Sequence, residues 1–269
     1  MKKYTRNDLL QLYEQAEREK YAIPAFNYSD QWDMMAIVEA ASEERAPVLL
    51  MSDPPVYQTI GPKMCAAMVD VLAEKADIPV IHHLDHSAHR SSCKEAIDLG
   101  FKSVMMDASD KPIEQNISYV KEVAEYARKN NCFVEAEIGR IRGESAYETS
   151  YTGDDYLFDL DEAVKLVEEG MPDSLAIGIG NAHGFYVGKP ELNFRKLAEA
   201  KEAISVPLVL HGGTGIPKED IQKAIRGGIR KVNVGTAVYC AYMNGIREQL
   251  IKDGENQFTL DVMRCGMER

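Results

Sequence analysis

Short apolar runs alternate along the chain with longer segments in which apolar positions recur at helical spacing. Eight runs predict strands: 21–28 (YAIPAFNY), 47–52 (PVLLMS), 79–86 (PVIHHLDH), 103–109 (SVMMDAS), 132–139 (CFVEAEIG), 174–182 (SLAIGIGNA), 207–213 (PLVLHGG) and 231–236 (KVNVGT). Several are apolar almost throughout, the pattern of strands covered on both faces. Helical period marks Thr5–Lys20, Asp30–Arg45, Lys63–Ala76, Ser91–Leu99, Glu114–Asn130, Asp159–Glu169, Phe194–Ile204 and Lys218–Arg226. The first opens on Thr5 and Asp8 at capping-box spacing. Eight strands joined by helical crossovers predict an α/β fold, a closed TIM (β/α)8 barrel, with the first helix plugging the barrel floor. No linker, repeat or low-complexity segment interrupts the pattern, so residues 1–269 read as a single barrel domain. Residues 140–158 form a long polar stretch between the fifth strand and its helix, a length that usually carries function.

Composition narrows the partners. The net charge is −12 with no basic run, which argues against nucleic acid and anionic membranes. No apolar window approaches the ~20 residues of a membrane span, and the first 25 residues show no signal-peptide pattern. Five scattered cysteines without CxxC spacing read as reduced thiols. A cytoplasmic protein is therefore expected.

In such a barrel the active site lies at the C-terminal strand ends. Those ends carry Asn27, Ser52 and Asp53, Asp85 and His86, Asp107 and Ser109, Glu135 and Glu137, Asn181 and His183, His211, and Asn233 to Thr236. A lone histidine on an apolar strand is ordinarily a core residue. His86, His183 and His211, at equivalent ends of three strands, are expected to converge on the barrel axis, and three imidazoles with one open position make a catalytic zinc arrangement. Strand alternation is expected to put His82 and His86 on one side and His83 on the other, with His82 too deep to reach the mouth. His83 and His89 read as supporting or surface groups. HGGTG after strand 7 and NVGT after strand 8 are Gly-containing turns into helices, the frequent phosphate position of this fold.

The segments HLDH (83–86), SVMMDAS (103–109), VEAEIG (134–139), GNAHGFY (180–186), LVLHGGTGI (208–216) and KVNVGT (231–236) resemble the class II, metal-dependent ketose-bisphosphate aldolases in order and spacing, from about residue 5 to residue 240. The resemblance implies His86, His183 and His211 as zinc ligands and Asp85 as the proton-transfer carboxylate. It implies Asp107 and Glu137 at a deeper metal position, leaving room for a second divalent or a monovalent cation. It implies Gly184, Gly212, Gly213, Thr214, Asn233, Val234, Gly235 and Thr236 as contacts to dihydroxyacetone phosphate, and Asn27 and Ser52 are counted with the substrate contacts. A second acid is expected from the strand-5 loop, Glu144 rather than Glu148. A Schiff-base lysine is not expected, because Lys231 begins strand 8 at the far end of the barrel.

The implied reaction is reversible cleavage of a fructose- or tagatose-type 1,6-bisphosphate by a homodimer or homotetramer. An unusual ketose 1-phosphate, a metal-water hydrolase and a non-catalytic sugar-phosphate binder are the alternatives. The family's acidic GGxED-like run is replaced by RIRGESAYETSYTGDD, and its NxNNxE by NYSDQWD. Ala237 stands where an acid is common, and the Gly-Ser-Ala-Gly-like tail is missing. The altered regions shape the aldehyde half of the pocket, where Arg140 and Arg142 offer charge for a distal phosphate or carboxylate.

Overall fold

Each apolar run pairs in parallel with its neighbours in sequence, and the last pairs with the first. The strands are β1 (Ile23–Asn27), β2 (Val48–Ser52), β3 (Val80–Ser87), β4 (Ser103–Met106), β5 (Phe133–Ile138), β6 (Ser174–Ile177), β7 (Leu208–Leu210) and β8 (Ile229–Val234), in the order of a closed eight-stranded barrel. Closure is visible at Ala25, which pairs with Leu49 of β2 on one side and Asn233 of β8 on the other. This is the TIM barrel that the pattern predicts. The computed structural model describes residues 4–139, 141, 157–186, 188, 190–254 and 258–268.

The helices are α1 (Arg6–Glu19), α2 (Gln31–Glu43), α3 (Pro54–Ile60), α4 (Pro62–Lys75), α5 (Arg90–Asp98), α6 (Ile113–Lys129), α7 (Leu160–Lys165), α8 (Phe194–Ala203), α9 (Lys218–Arg226), α10 (Thr236–Asp253) and α11 (Thr259–Met267). In α6, Ile117, Val120, Ala124 and Ala127 lie three and four residues apart and are buried, so one stripe faces the sheet. Three helices go beyond the expected set. Asp53 caps α3 by accepting from the Val56 N–H at 3.0 Å, with prolines at the first helical positions. The apolar residues of α10 spread around its circumference, so no stripe marks it in the sequence. The third is α11, which packs against α10. Strands β4, β6 and β7 are shorter than their apolar runs, because the last residues of each run leave the ladder to build the barrel mouth. No described helix is long and apolar enough to cross a membrane.

The floor is built as expected. Thr5 and Asp8 form a capping box that starts α1. Leu9, Tyr13 and Ala16 then enter the barrel bottom against Ile23, Ala25, Leu49, Ile81 and Phe133. Tyr13 stacks on Phe133 with ring centroids 5.0 Å apart. Arg6 Nε donates to both oxygens of Asp173, at 2.9 and 3.0 Å, and Asp173 Oδ2 also accepts from the Val134 N–H. The plug and the mouth are at opposite ends. Leu9→Ala is therefore expected to lower stability by about 2–5 kcal/mol in urea denaturation, through the cavity it leaves, while the folded variant keeps the parent's metal affinity.

Candidate active site

The site begins with a break in β3. Alternation holds from Val80 to Asp85. His82 and Leu84 face the helices, with His82 stacked on Phe101 at 3.6 Å and bonded to Tyr28 and Ser52. His83 and Asp85 face the barrel interior, His83 Nδ1 meeting Ser103 Oγ at 2.7 Å. Strict alternation would send His86 outward with His82. Instead the register to β4 shifts between Leu84 and Ser87, and His86 adopts φ 45°, a left-handed conformation. The break turns His86 back to the mouth, so the neighbours Asp85 and His86 line one cavity. The expectation that His82 and His86 share a face is corrected here: the bulge interrupts the period of two.

His86, His183 and His211 offer ligand atoms all within 4.8 Å of one another. The ring of His86 lies edge-on to both others, with centroids 4.7 Å away in each case. Carboxylates hold the rear nitrogens. His86 Nδ1 meets Asp107 Oδ2 at 2.8 Å, and His211 Nε2 meets Glu135 Oε1 at 2.9 Å. A carboxylate only accepts, so each rear nitrogen carries the proton when its ring is neutral. The front nitrogens, His86 Nε2 and His211 Nδ1, then present lone pairs to each other at 2.8 Å. Two lone pairs at that distance need a cation between them, either a proton or a metal. Burial lowers the imidazolium of His86, but Asp85, Asp107 and Glu137 outweigh it and raise its pKa to about 10. Burial, reinforced by the charge of His86, holds His211 well below the usual range.

A second constellation, His86 with Asp107 and Glu137, also has its ligand atoms within 4.8 Å. Burial and the charge of Asp107 push Glu137 well above the ordinary carboxylate range, and its Oε2 is buried with no hydrogen-bond partner among the described residues. Both observations suit a cation at this position.

Asp85 is braced from two sides. Asn27 Nδ2 donates to Oδ2 at 3.0 Å, and Asn233 Nδ2 to Oδ1 at 3.3 Å. Burial raises its pKa, but His86, His211, Lys231 and the Asn27 bond more than offset that and lower it. The group is therefore ionised and ready to accept a proton.

The cavity of about 1010 Å³ is lined by Asn27, Asp85, His86, Asp107, Glu137, His183, Gly184, Gly212, Thr214, Asn233, Gly235 and Thr236, all predicted from the sequence. Asp53 and Tyr239 line it as well, with Tyr239 Oη donating to Asp53 Oδ2 at 3.2 Å. The N-terminus of α10 opens at the cavity beside Gly235 and Thr236, which suits an anion. Three expected contacts turn away. Ser52 is fully buried in the network with Tyr28 and His82. The Gly213 N–H is taken by the Asn233 carbonyl at 2.8 Å, and Val234 packs in the hydrophobic layer outside the barrel. His89 is exposed at the start of α5. Glu144, Glu148, Arg140 and Arg142 lie outside the described residues.

Sequence reasoning missed one pair. Strand β8 starts at Ile229, so Lys231 sits inside the barrel rather than at its far end. Its Nζ is 2.9 Å from both oxygens of Glu135, which in turn holds His211. The signal was present: Glu135 and Lys231 carry opposite charges and each lies two residues before a polar group of the mouth, Glu137 and Asn233. Lys231 does not line the cavity, consistent with the exclusion of a Schiff base.

Comparison with known proteins places the chain in a family. The family model described as fructose-bisphosphate aldolase class-II matches residues 7–269. A 6-phospho-5-dehydro-2-deoxy-D-gluconate aldolase of Bacillus velezensis is 39% identical over 261 residues, covering 96% of this chain and 89% of the relative. The enzyme of the same name from Bacillus subtilis is 39% identical over 249 residues, covering 91% and 84%. Among solved structures, the YdjI aldolase from Escherichia coli K12 superposes with a TM-score of 0.84 at 33% identity, covering 97% of this chain and 91% of that one. A putative fructose-1,6-bisphosphate aldolase from Coccidioides immitis gives 0.84 at 29% identity, covering 96% and 93%. The chain thus belongs to the class II aldolase family of metal-dependent carbon–carbon lyases.

Proposed function

We propose that the chain is a zinc-dependent aldolase that splits 6-phospho-5-dehydro-2-deoxy-D-gluconate, a ketose phosphate ending in a carboxylate, into dihydroxyacetone phosphate and 3-oxopropanoate. The observation that carries the reaction is the meeting of three histidines and an ionised Asp85 in a cavity also lined by the N-terminus of α10. The substrate rests on relatives of that name at 39–40% identity. The bisphosphate reading, to which the sequence pointed first, is the second choice. Among the described residues no lysine or arginine lines the cavity, and Arg140 and Arg142, the sequence's candidates for a distal anion, lie outside them.

His86, His183 and His211 would hold the metal, three imidazoles with an open position suiting zinc. When bound, it supplies Lewis acidity, stabilising negative charge on the substrate's ketone oxygen. His86 together with Asp107 and Glu137 supports an additional or alternative cation position.

The substrate's ketone is C5 and the hydroxyl two carbons away is on C3. Asp85 takes the C3 hydroxyl proton. The C3–O bond becomes a carbonyl as the C3–C4 bond breaks, and its electron pair moves to C4 and onto the C5 carbonyl. The three-carbon aldehyde acid leaves, and protonation of C4 gives dihydroxyacetone phosphate. Asn27 and Asn233 fix the carboxylate for the first transfer. Backbone N–H groups at the start of α10, with the Gly184, Gly212 and Thr214 segments, would hold the phosphate. Glu144 is the acid we assign to C4. Association of copies, in a cytoplasmic homodimer or homotetramer, is supported by the exposed Met243 and Ile251 of α10 and Phe258 just before α11.

A retro-aldol screen with and without chelator tests the reading. Cleavage of 6-phospho-5-dehydro-2-deoxygluconate should exceed that of fructose and tagatose 1,6-bisphosphates by about tenfold or more in kcat/KM, the size of a lost polar contact. It should vanish on chelation and return with zinc. Full activity after metal removal would overturn the mechanism, and preference for a bisphosphate the substrate. Asp85→Asn should lower kcat by about 10²–10⁴-fold, the range of a positioned acid–base group, with zinc still bound at one equivalent by metal analysis.

A further inference from the structure

Strands β6 and β7 are in register at Leu175 with Leu208 and Ala176 with Val209. His183 and His211 stand beyond that pairing, one on a loop and one at the last turn of chain before Gly212. Side chains take over the work of the ladder there. Asn181 Oδ1 accepts from the Ile179 N–H at 2.8 Å, which orients the amide, and its Nδ2 donates to the His211 carbonyl at 3.1 Å. The Tyr186 hydroxyl accepts from the Ala182 N–H at 2.9 Å and donates to the Gly212 carbonyl at 3.0 Å. These bonds join residues immediately before His183 to the carbonyls of His211 and its successor. The segments meet as closely as backbones allow: Gly212 has φ 64°, and a Cβ there would lie 2.0 Å from the Ala182 oxygen. Asn181 is buried, and neither Asn181 nor Tyr186 lines the cavity.

We propose that Asn181 and Tyr186 are positioning residues that clamp the His183 loop to the end of β7 and thereby set the affinity of the three-histidine site for its metal. The inference rests on the reading of these histidines as ligands. Metal–ligand distances tolerate only about 0.2 Å, so a loosened loop weakens binding even with every ligand present. Loss of groups that orient ligands typically costs about 10–100-fold in metal affinity.

The test is zinc affinity of the full chain by competition with a chromophoric chelator. Tyr186→Phe keeps the ring and removes only the bridging hydroxyl. Asn181→Asp keeps the acceptor for Ile179 and replaces the donor with an oxygen facing the His211 carbonyl. Each should weaken zinc binding about tenfold or more and alter the visible absorption of the cobalt-substituted protein. Tyr126→Phe, which removes a hydroxyl bonded to Asp98 on the outer surface, should leave both unchanged. If Tyr186→Phe and Asn181→Asp bind zinc within threefold of the parent and differ only in the melting temperature of the metal-free protein, the clamp is merely structural and the proposal falls. A parent chain that takes up no zinc would instead overturn the ligand reading beneath it.

Discussion

Two imidazole nitrogens facing each other at 2.8 Å set the terms for the rest of the mouth. Their lone pairs repel unless a positive charge lies between, a proton or the metal we assign to the three histidines. Asp107 and Glu135 sit behind the rings and hold each neutral ring in the tautomer whose front nitrogen carries the lone pair. Lys231 compensates the Glu135 charge deep in the barrel. Without it, the carboxylate would be a buried anion balanced only by histidine, and His211 would be drawn toward the protonated state that competes with a metal. The apolar plug of α1 lies beneath that charged layer and excludes water from it. Order from floor to mouth thus runs from packing, to compensated charge, to reactive groups.

The barrel was legible because it is written in periodicity. All eight strands arise from apolar runs, and the plug from an amphipathic first helix, since each must bury a face against its neighbours. The strand ends that carry His86, His183 and His211 follow from the fold, and so does their convergence. What periodicity cannot show is where it fails. The side of the sheet on which His86 lies depends on one left-handed residue in β3, and nothing in HHLDH distinguishes it from an unbroken strand. Ser52 was misplaced for the opposite reason: it obeys alternation and so points away from the mouth, toward Tyr28 and His82. Lys231 was placed at the wrong end because the start of β8, at Ile229, lay two residues before the apolar run had been recognised.

The two halves of the cavity differ in how they are encoded. The side we assign to phosphate is mostly backbone: a helix start and glycine-containing turns, whose anion affinity would survive many changes of side chain. Such a site is readable as a motif. The side we assign to the aldehyde would draw on side chains of long connections, which vary among proteins of one fold without disturbing the barrel. The same scaffold therefore belongs equally to relatives named for 6-phospho-5-dehydro-2-deoxy-D-gluconate and to structures titled for fructose 1,6-bisphosphate. The reaction follows from the scaffold and its histidines, and the substrate follows from what lies around them.

That division explains why the bonds between loops matter as much as the ligands. A closed barrel fixes its strand ends rigidly, yet the hydrogen-bonded ladder between β6 and β7 stops short of the mouth, leaving His183 to a connection of irregular backbone. Precision there has to be rebuilt locally, and the residues that rebuild it need not touch substrate or metal. Asn181 and Tyr186 bond to backbone groups whose chemistry is the same in any sequence. The loop can then vary beyond Tyr186 while the ligand stays in place. Rigid geometry at the metal and freedom at the aldehyde are compatible because separate bonds govern them.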